Sequence, residues 1–193
     1  DALILHLNPL QEALQPEGDH NFTGLLEKIA VLCRELPVPV IVKEVGCGIS
    51  PATALRLAEA GVAAIDVAGM GGTSFARVEA LRRERPEEVE LALAFAEWGI
   101  PTSEAIRSVR QALPGMPLIA SGGLRHGLDA AKAIALGAQL TGFAHVVLAA
   151  AAEGEAPVRQ LLEGFAWQLR IAMFCAGAAD FERLRSRELS EVR

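Results

Sequence analysis

An α/β fold around a parallel sheet follows from three features of the 193-residue chain. Strand-like apolar runs alternate with segments of helical periodicity, the pattern that produces βαβ units with right-handed crossovers. Helix caps, prolines and glycines punctuate the junctions where helices start and stop. Polar residues recur where the apolar runs end, and the C-terminal ends of parallel strands are where such sheets build ligand sites.

Taken in order, Ala2–Leu7 is the first strand, and a helix from about Thr23 to Leu36 leads to the second, Pro39–Val45. Ser50 as N-cap, Pro51 at the first helical position and Gly61 as the stop define the next helix, followed by a strand at Ala63–Ala68. Residues 72–100 exceed a usual βα connection. Their charge run from Arg82 to Glu88 reads as a solvated helix face or a linker. A helix capped by Thr102 precedes the fourth strand, Pro117–Ser121, and one bounded by Asp129 and Gly137 precedes the fifth, about Leu140–Ala144. Glu155–Ala176 and Asp180–Glu188 carry apolar residues at three- and four-residue spacing and are expected to close the fold as packed helices. No fixed-period repeat interrupts this order.

The balance of 18 Lys and Arg against 24 Asp and Glu, net charge -6, argues against nucleic-acid binding, which needs a concentrated basic face. Phosphate binding must then be local. Cys33, Cys47 and Cys175 are odd in number and widely spaced, which fits neither a disulfide framework nor a closed zinc site and points to a reducing cytoplasm. The Ala-rich tracts are broken by charged residues before reaching membrane-spanning length, so a soluble protein with no membrane partner is expected. The first residue is Asp, and it runs directly into a strand already under way.

Polar residues at strand ends supply the candidate site. In His6-Leu7-Asn8-Pro9-Leu10-Gln11-Glu12, period-two geometry points His6 and Asn8 to one side, with Gln11 and Glu12 in the loop that follows. Such a set can hold a diphosphate with magnesium, which needs only one or two protein carboxylates, or simply solvate a polar rim. Lys43 ends an apolar strand, so its ammonium requires an anionic ligand, or an ion pair with Glu44 or Asp66. Asp66 can point inward or toward a helix. Gly69-Met70-Gly71-Gly72-Thr73-Ser74 and Ser121-Gly122-Gly123-Leu124-Arg125 can expose backbone N–H groups to a phosphate, with Arg125 adding charge, or can be plain turns. Neither matches a Walker A loop or a dinucleotide fingerprint.

These motifs, together with Val42-Lys43-Glu44-Val45-Gly46 and Trp98-Gly99-Ile100-Pro101-Thr102, give the chain a resemblance to type 2 isopentenyl diphosphate isomerases. The resemblance spans nearly the whole sequence, and His-x-Asn-Pro-x-Gln-Glu is its most specific part. It implies a (β/α)8 TIM barrel, of which this chain supplies about the last five βα units plus C-terminal helices as a single domain, 1–193. It also implies interconversion of isopentenyl and dimethylallyl diphosphates in isoprenoid biosynthesis, with FMN, Mg2+ and NADPH and no net redox change. His6, Asn8 and Gln11 would bind substrate, Gln11 also acting in catalysis, and Glu12 would hold the metal. Lys43, Thr73, Ser74, Gly122, Gly123, Arg125 and Ala144 would bind FMN. Reduced flavin N5 would protonate the double bond while a proton leaves the neighbouring carbon with Gln11 assisting. A homo-oligomer, tetramer or octamer, is implied as well.

Phe75 stands where the family often has Trp, keeping an aromatic wall without the indole donor. The family's N-terminal substrate ligands and early strands have no counterpart in this sequence. An unclosed barrel is expected to fold poorly when isolated, because it exposes strand edges and core. Two other readings stay open. One is another FMN-dependent barrel oxidoreductase, of the hydroxy-acid oxidase or IMP dehydrogenase kind, the latter needing a loop Cys such as Cys47. The other is a non-catalytic phosphate-ligand barrel or an inactive fragment.

Overall fold

The computed structural model describes residues 1–187 and 189–190. Chain order runs from β1 (Leu3–His6) through α1 (Pro9–Leu14) and α2 (Leu25–Glu35) to β2 (Val40–Lys43) and α3 (Pro51–Glu59). It continues with β3 (Ala64–Asp66), α4 (Phe75–Leu81), α5 (Pro86–Leu93) and α6 (Thr102–Ala112), then β4 (Leu118–Ala120) and α7 (Gly127–Ala135). The last elements are β5 (Leu140–Thr141), α8 (His145–Glu153), α9 (Glu155–Cys175) and α10 (Phe181–Arg185). All five strands are parallel and lie side by side in sequence order, β1-β2-β3-β4-β5, a partial barrel-like sheet.

Strand alternation divides the sheet into two unlike faces. Val42, Ile65, Leu118 and Ala120 lie at 0–1% exposure under Ile29 of α2, Leu57 of α3, Ile106 and Val109 of α6 and Ala133 of α7. That face is the main core. The register Leu5↔Val42↔Ile65↔Leu118 continues it across four strands. The opposite face carries Ile4, 57% exposed, and, two residues further along β1, the row His6↔Lys43↔Asp66↔Ile119↔Leu140, whose Leu140 is 62% exposed at the far strand. All three polar residues therefore sit on one face at the C-terminal ends of adjacent strands.

The expected punctuation is present. Ser50 Oγ accepts the Thr53 N–H at 3.2 Å with Pro51 at the start of α3. Gly61, at φ 92°, ends α3 with Gly61 N–H to Ala58 O and Val62 N–H to Leu57 O, the paired bonds of a Schellman motif. Gly137 ends α7 in the same way.

Several boundaries differ from expectation. Each strand is shorter than its apolar run: Ala2, Pro39, Ala63 and Pro117 fall outside the N-terminal ends and are exposed, whereas Glu44, Val67 and Ala68 stay buried where the chain turns into the site loops. Gln11 and Glu12 lie on α1, not in a loop: Asn8 occupies the N-cap position and Pro9 the first turn. With β1 ending at His6, period-two geometry stops, and His6 is exposed while Asn8 is buried. Pro101 rather than Thr102 is the N-cap of α6, and the Thr102 hydroxyl instead donates to Gly122 O at 2.6 Å. Asp129 lies in the first turn of α7, which starts two residues earlier; His126 accepts its N–H and its carboxylate accepts Arg125 N–H. The fifth strand stops at Thr141, so Ala144 becomes the N-cap of α8. The long connection from residue 72 to 100 holds α4 and α5, and the charge run from Arg82 to Glu88 is the bend between them together with the first turn of α5. Glu188, the expected end of the last helix, lies outside the described residues. Among the described residues no helix is long and apolar enough to cross a membrane.

Candidate active site

A cavity of about 720 Å³ opens at the C-terminal ends of β2, β3, β4 and β5. Lys43, Thr73, Gly122, Gly123, Arg125 and Ala144 all line it, as does Asp66. The topology explains the convergence: each residue ends a strand or begins the connection after one.

Electrostatically the cavity wall is layered. Lys43 Nζ donates to its neighbour's carbonyl, Glu44 O, at 2.6 Å, and among the described residues it forms no ion pair with Glu44 or Asp66. The Glu44 carboxylate is instead wrapped by the loop after β2, accepting N–H groups from Val45, Gly46 and Cys47. Burial pushes the Glu44 carboxyl up, against those backbone donors that favour its charge. Asp66 faces the cavity side of the sheet. Its two oxygens accept the Ser121 hydroxyl at 2.8 and 3.0 Å, and one also accepts Ala68 N–H at 3.1 Å. Burial raises the Asp66 carboxyl as well, opposed by Ser121, Ala68 and the nearby Lys43 charge.

The two glycine-bearing segments pack on each other. A Cβ added at Gly122 would lie 2.1 Å from Gly69 O, and one at Gly123 2.2 Å from Gly71 C. Missing side chains therefore serve backbone-to-backbone approach between the ends of β3 and β4, while the same residues line the cavity. Gly69 N–H to Ser121 O at 3.0 Å and Thr102 Oγ1 to Gly122 O fasten the contact.

Gln11 lines a second cavity of about 480 Å³, separated from the first by Gly72, Thr73 and Phe75, which border both. Ser74 also lines this smaller space; its hydroxyl donates to Ala96 O at 2.9 Å and caps α4. Behind Gln11 stands a residue that the sequence did not single out. Glu79, 1% exposed, accepts Gln11 Nε2 at 3.4 Å, Gln15 Nε2 at 3.0 Å and Arg82 at 2.8 Å. The only local hint was its place among Ala76 and Ala80 on the apolar side of α4.

His6, Asn8 and Glu12 line neither cavity. Asn8 Nδ2 donates to Glu12 Oε1 at 3.1 Å and to Gln11 at 3.4 Å, while Asp19 N–H donates to Glu12 Oε2 at 2.9 Å. Asn8, Gln11 and Glu12 thus form one hydrogen-bonded group at the start of α1, while His6 ends β1 as the register partner of Lys43. Among the described residues no group of three or more His, Cys, Asp or Glu is arranged to hold a metal.

The family model of FMN-dependent dehydrogenases matches residues 11–191. The chain is 57% identical over 185 residues to an isopentenyl-diphosphate delta-isomerase of Nostoc sp., covering 96% of this chain and 53% of that protein. It is 56% identical over 192 residues to the enzyme of the same name from Stutzerimonas stutzeri, covering 100% of this chain and 56% of the relative. The chain thus spans about half the length of the curated relatives it matches. Among solved structures, a protein described as a lactate oxidase of Pediococcus acidilactici superposes with TM-score 0.69 at 25% identity, over 92% of this chain and 43% of that one. A mandelate oxidase with benzoyl-formic acid superposes with TM-score 0.63 at 28% identity, over 83% and 41%.

Proposed function

The chain belongs to the FMN-dependent dehydrogenase family, and from that premise we propose that it acts in the interconversion of isopentenyl and dimethylallyl diphosphates with reduced FMN. The observation that carries this reading is the 57% identity, over 96% of the chain, to a protein named for that reaction. Residues 1–193 serve as one domain, the last five units of a (β/α)8 barrel, in a cytoplasmic homo-oligomer.

FMN fits the larger cavity by chemistry. Lys43 would lie beside the ring system, Thr73 and Ser74 along the ribityl chain, and Gly122, Gly123, Arg125 and Ala144 around the phosphate. In support, all but Ser74 line that cavity, and Ala144 stands at the positive end of α8. When bound, reduced FMN supplies acid/base chemistry at N5, and NADPH keeps it reduced.

His6 and Asn8 would bind the substrate diphosphate, and Gln11 would assist proton departure with its amide held between Asn8 and Glu79. Each Glu12 oxygen accepts one hydrogen bond, which leaves lone pairs for a cation. One carboxylate suits magnesium that arrives on phosphate oxygens and keeps its waters, rather than a resident all-protein site.

An FMN-dependent hydroxy-acid oxidase is the second reading, favoured by the shape of the two oxidases. Its identity of 25–28% is about half that to the isomerases. The test uses the full-length protein with FMN, Mg2+ and NADPH. Isopentenyl diphosphate should convert to the dimethylallyl isomer without stoichiometric NADPH loss. Glu12→Gln should lower kcat/KM at least tenfold, about 1.4 kcal/mol, with the magnesium requirement shifted upward. Unchanged activity in that variant would reject the metal role. Flavin reduction by a 2-hydroxy acid, without isomerisation, would replace the isomerase with the oxidase.

A further inference from the structure

We propose that Asp66 is a positioning residue for the flavin site: its clasped carboxylate fixes the turn at Ala68 and sets a negative charge beside Lys43 on the cavity wall. This inference rests on FMN occupying the larger cavity.

Two independent features meet at this residue. Ala68 is the one non-glycine residue at positive φ, 35°, among those described, and it lines the cavity at 3% exposure. A side chain resists that backbone region, so neighbouring structure must hold it there. Asp66 does so through the Ala68 N–H, and Gly48 N–H grips Ala68 O at 3.1 Å from the other side. The second feature is charge. Lys43 and Asp66 are register partners on adjacent strands, share a face and line the same cavity. A flavin beside Lys43 therefore meets the field of a lysine and a carboxylate together, the latter muted by two contacts from the Ser121 hydroxyl. A reduced flavin carrying negative charge is stabilised by the first and opposed by the second.

A residue that only knits β3 to β4 would change stability and leave the flavin's redox equilibrium alone. The experiment is spectroelectrochemical titration of the FMN-loaded full-length protein and two variants, with absorption spectra alongside. Asp66→Asn removes the opposing charge, and the ratio of reduced to oxidised flavin at fixed potential should rise about tenfold, an upward shift of about 30 mV for a two-electron couple. Ser121→Ala, titrated at alkaline pH so that Asp66 stays ionised without its hydroxyl donor, leaves a less muted carboxylate, so the midpoint should move the opposite way. Opposite signs support the inference. Unshifted midpoints, or both variants moving together, would overturn it, and if Asp66→Asn does not fold, an unshifted Ser121→Ala overturns it alone. Wild-type protein that binds no FMN would instead overturn the FMN reading and this inference with it.

Discussion

Replacing Gly122 with Ala should unlatch the two loops that wall the larger cavity. The position combines φ 99° with a space already filled by Gly69, whose O, N and C lie 2.1, 2.7 and 2.9 Å from an added Cβ. A left-handed backbone costs a non-glycine residue about 1–2 kcal/mol. Relieving the overlap requires Gly69 to retreat by roughly 1 Å, and overpacking of this kind costs about 1–3 kcal/mol. The two effects sum to about 2–5 kcal/mol, equivalent to a fall in Tm of about 5–15 °C for a chain of this size. Gly164→Ala is the paired control. Gly164 lies exposed inside α9 with nothing within 4 Å of an added Cβ, so the helix should gain about 1 kcal/mol. Urea denaturation and thermal melts of both variants read the contrast directly. A Gly122→Ala protein within about 0.5 kcal/mol of wild type would refute the backbone interlock, since surface-like tolerance is incompatible with a filled site.

Further outcomes follow at Cys47 and Arg110. Burial, reinforced by Glu44, pushes the Cys47 thiol up to about 11, so at pH 8 iodoacetamide should modify the exposed Cys175 well before Cys47. Because the folded-state value is raised, the neutral thiol's contribution is present below pH 9 and lost as pH climbs toward 11; replacing Cys47 with Ser should flatten stability across that window. Arg110 donates to Gly137 O, Leu113 O, Pro114 O and the Gln139 side chain, tying the end of α6 to the approach of β5. Arg110→Ala should cost about 1–3 kcal/mol in denaturant titrations, and Lys should recover less than half, because it lacks the planar fork.

Much of the architecture could be read from residues alone because strand, helix and stop signals are local. Ser50, Pro51 and Gly61 bracket α3 as expected. What escaped was either masked locally or made by distance. Asn8 and Pro9 are good helix-start residues, yet α1 is six residues long and too short to show periodicity. Helix α8 is apolar from Val146 to Ala152 between His145 and Glu153, with no polar stripe to mark a face. Glu79 sits just before a charged run, and its partners Gln11 and Gln15, at α1, lie more than sixty residues earlier in the chain. Six of the seven residues expected to bind FMN line one cavity because strand ends converge by topology. The glycines could not be understood that way, since no local signal reveals that two turns some fifty residues apart share one space.

The strictly sequential strand order has a consequence for how this chain tolerates change. No crossover skips a neighbour, so each helical excursion leaves and rejoins the sheet without passing over another. The widest detour, between β3 and β4, has its charged bend at Arg82–Arg85, between α4 and α5, with Arg82, Glu84 and Arg85 exposed. Lengthening that bend after Arg82 alters no strand register and keeps the Arg82–Glu79 pair. An inserted tag or reporter placed at the exposed Glu84, beyond the Arg82 ion pairs, should therefore disturb the strands least.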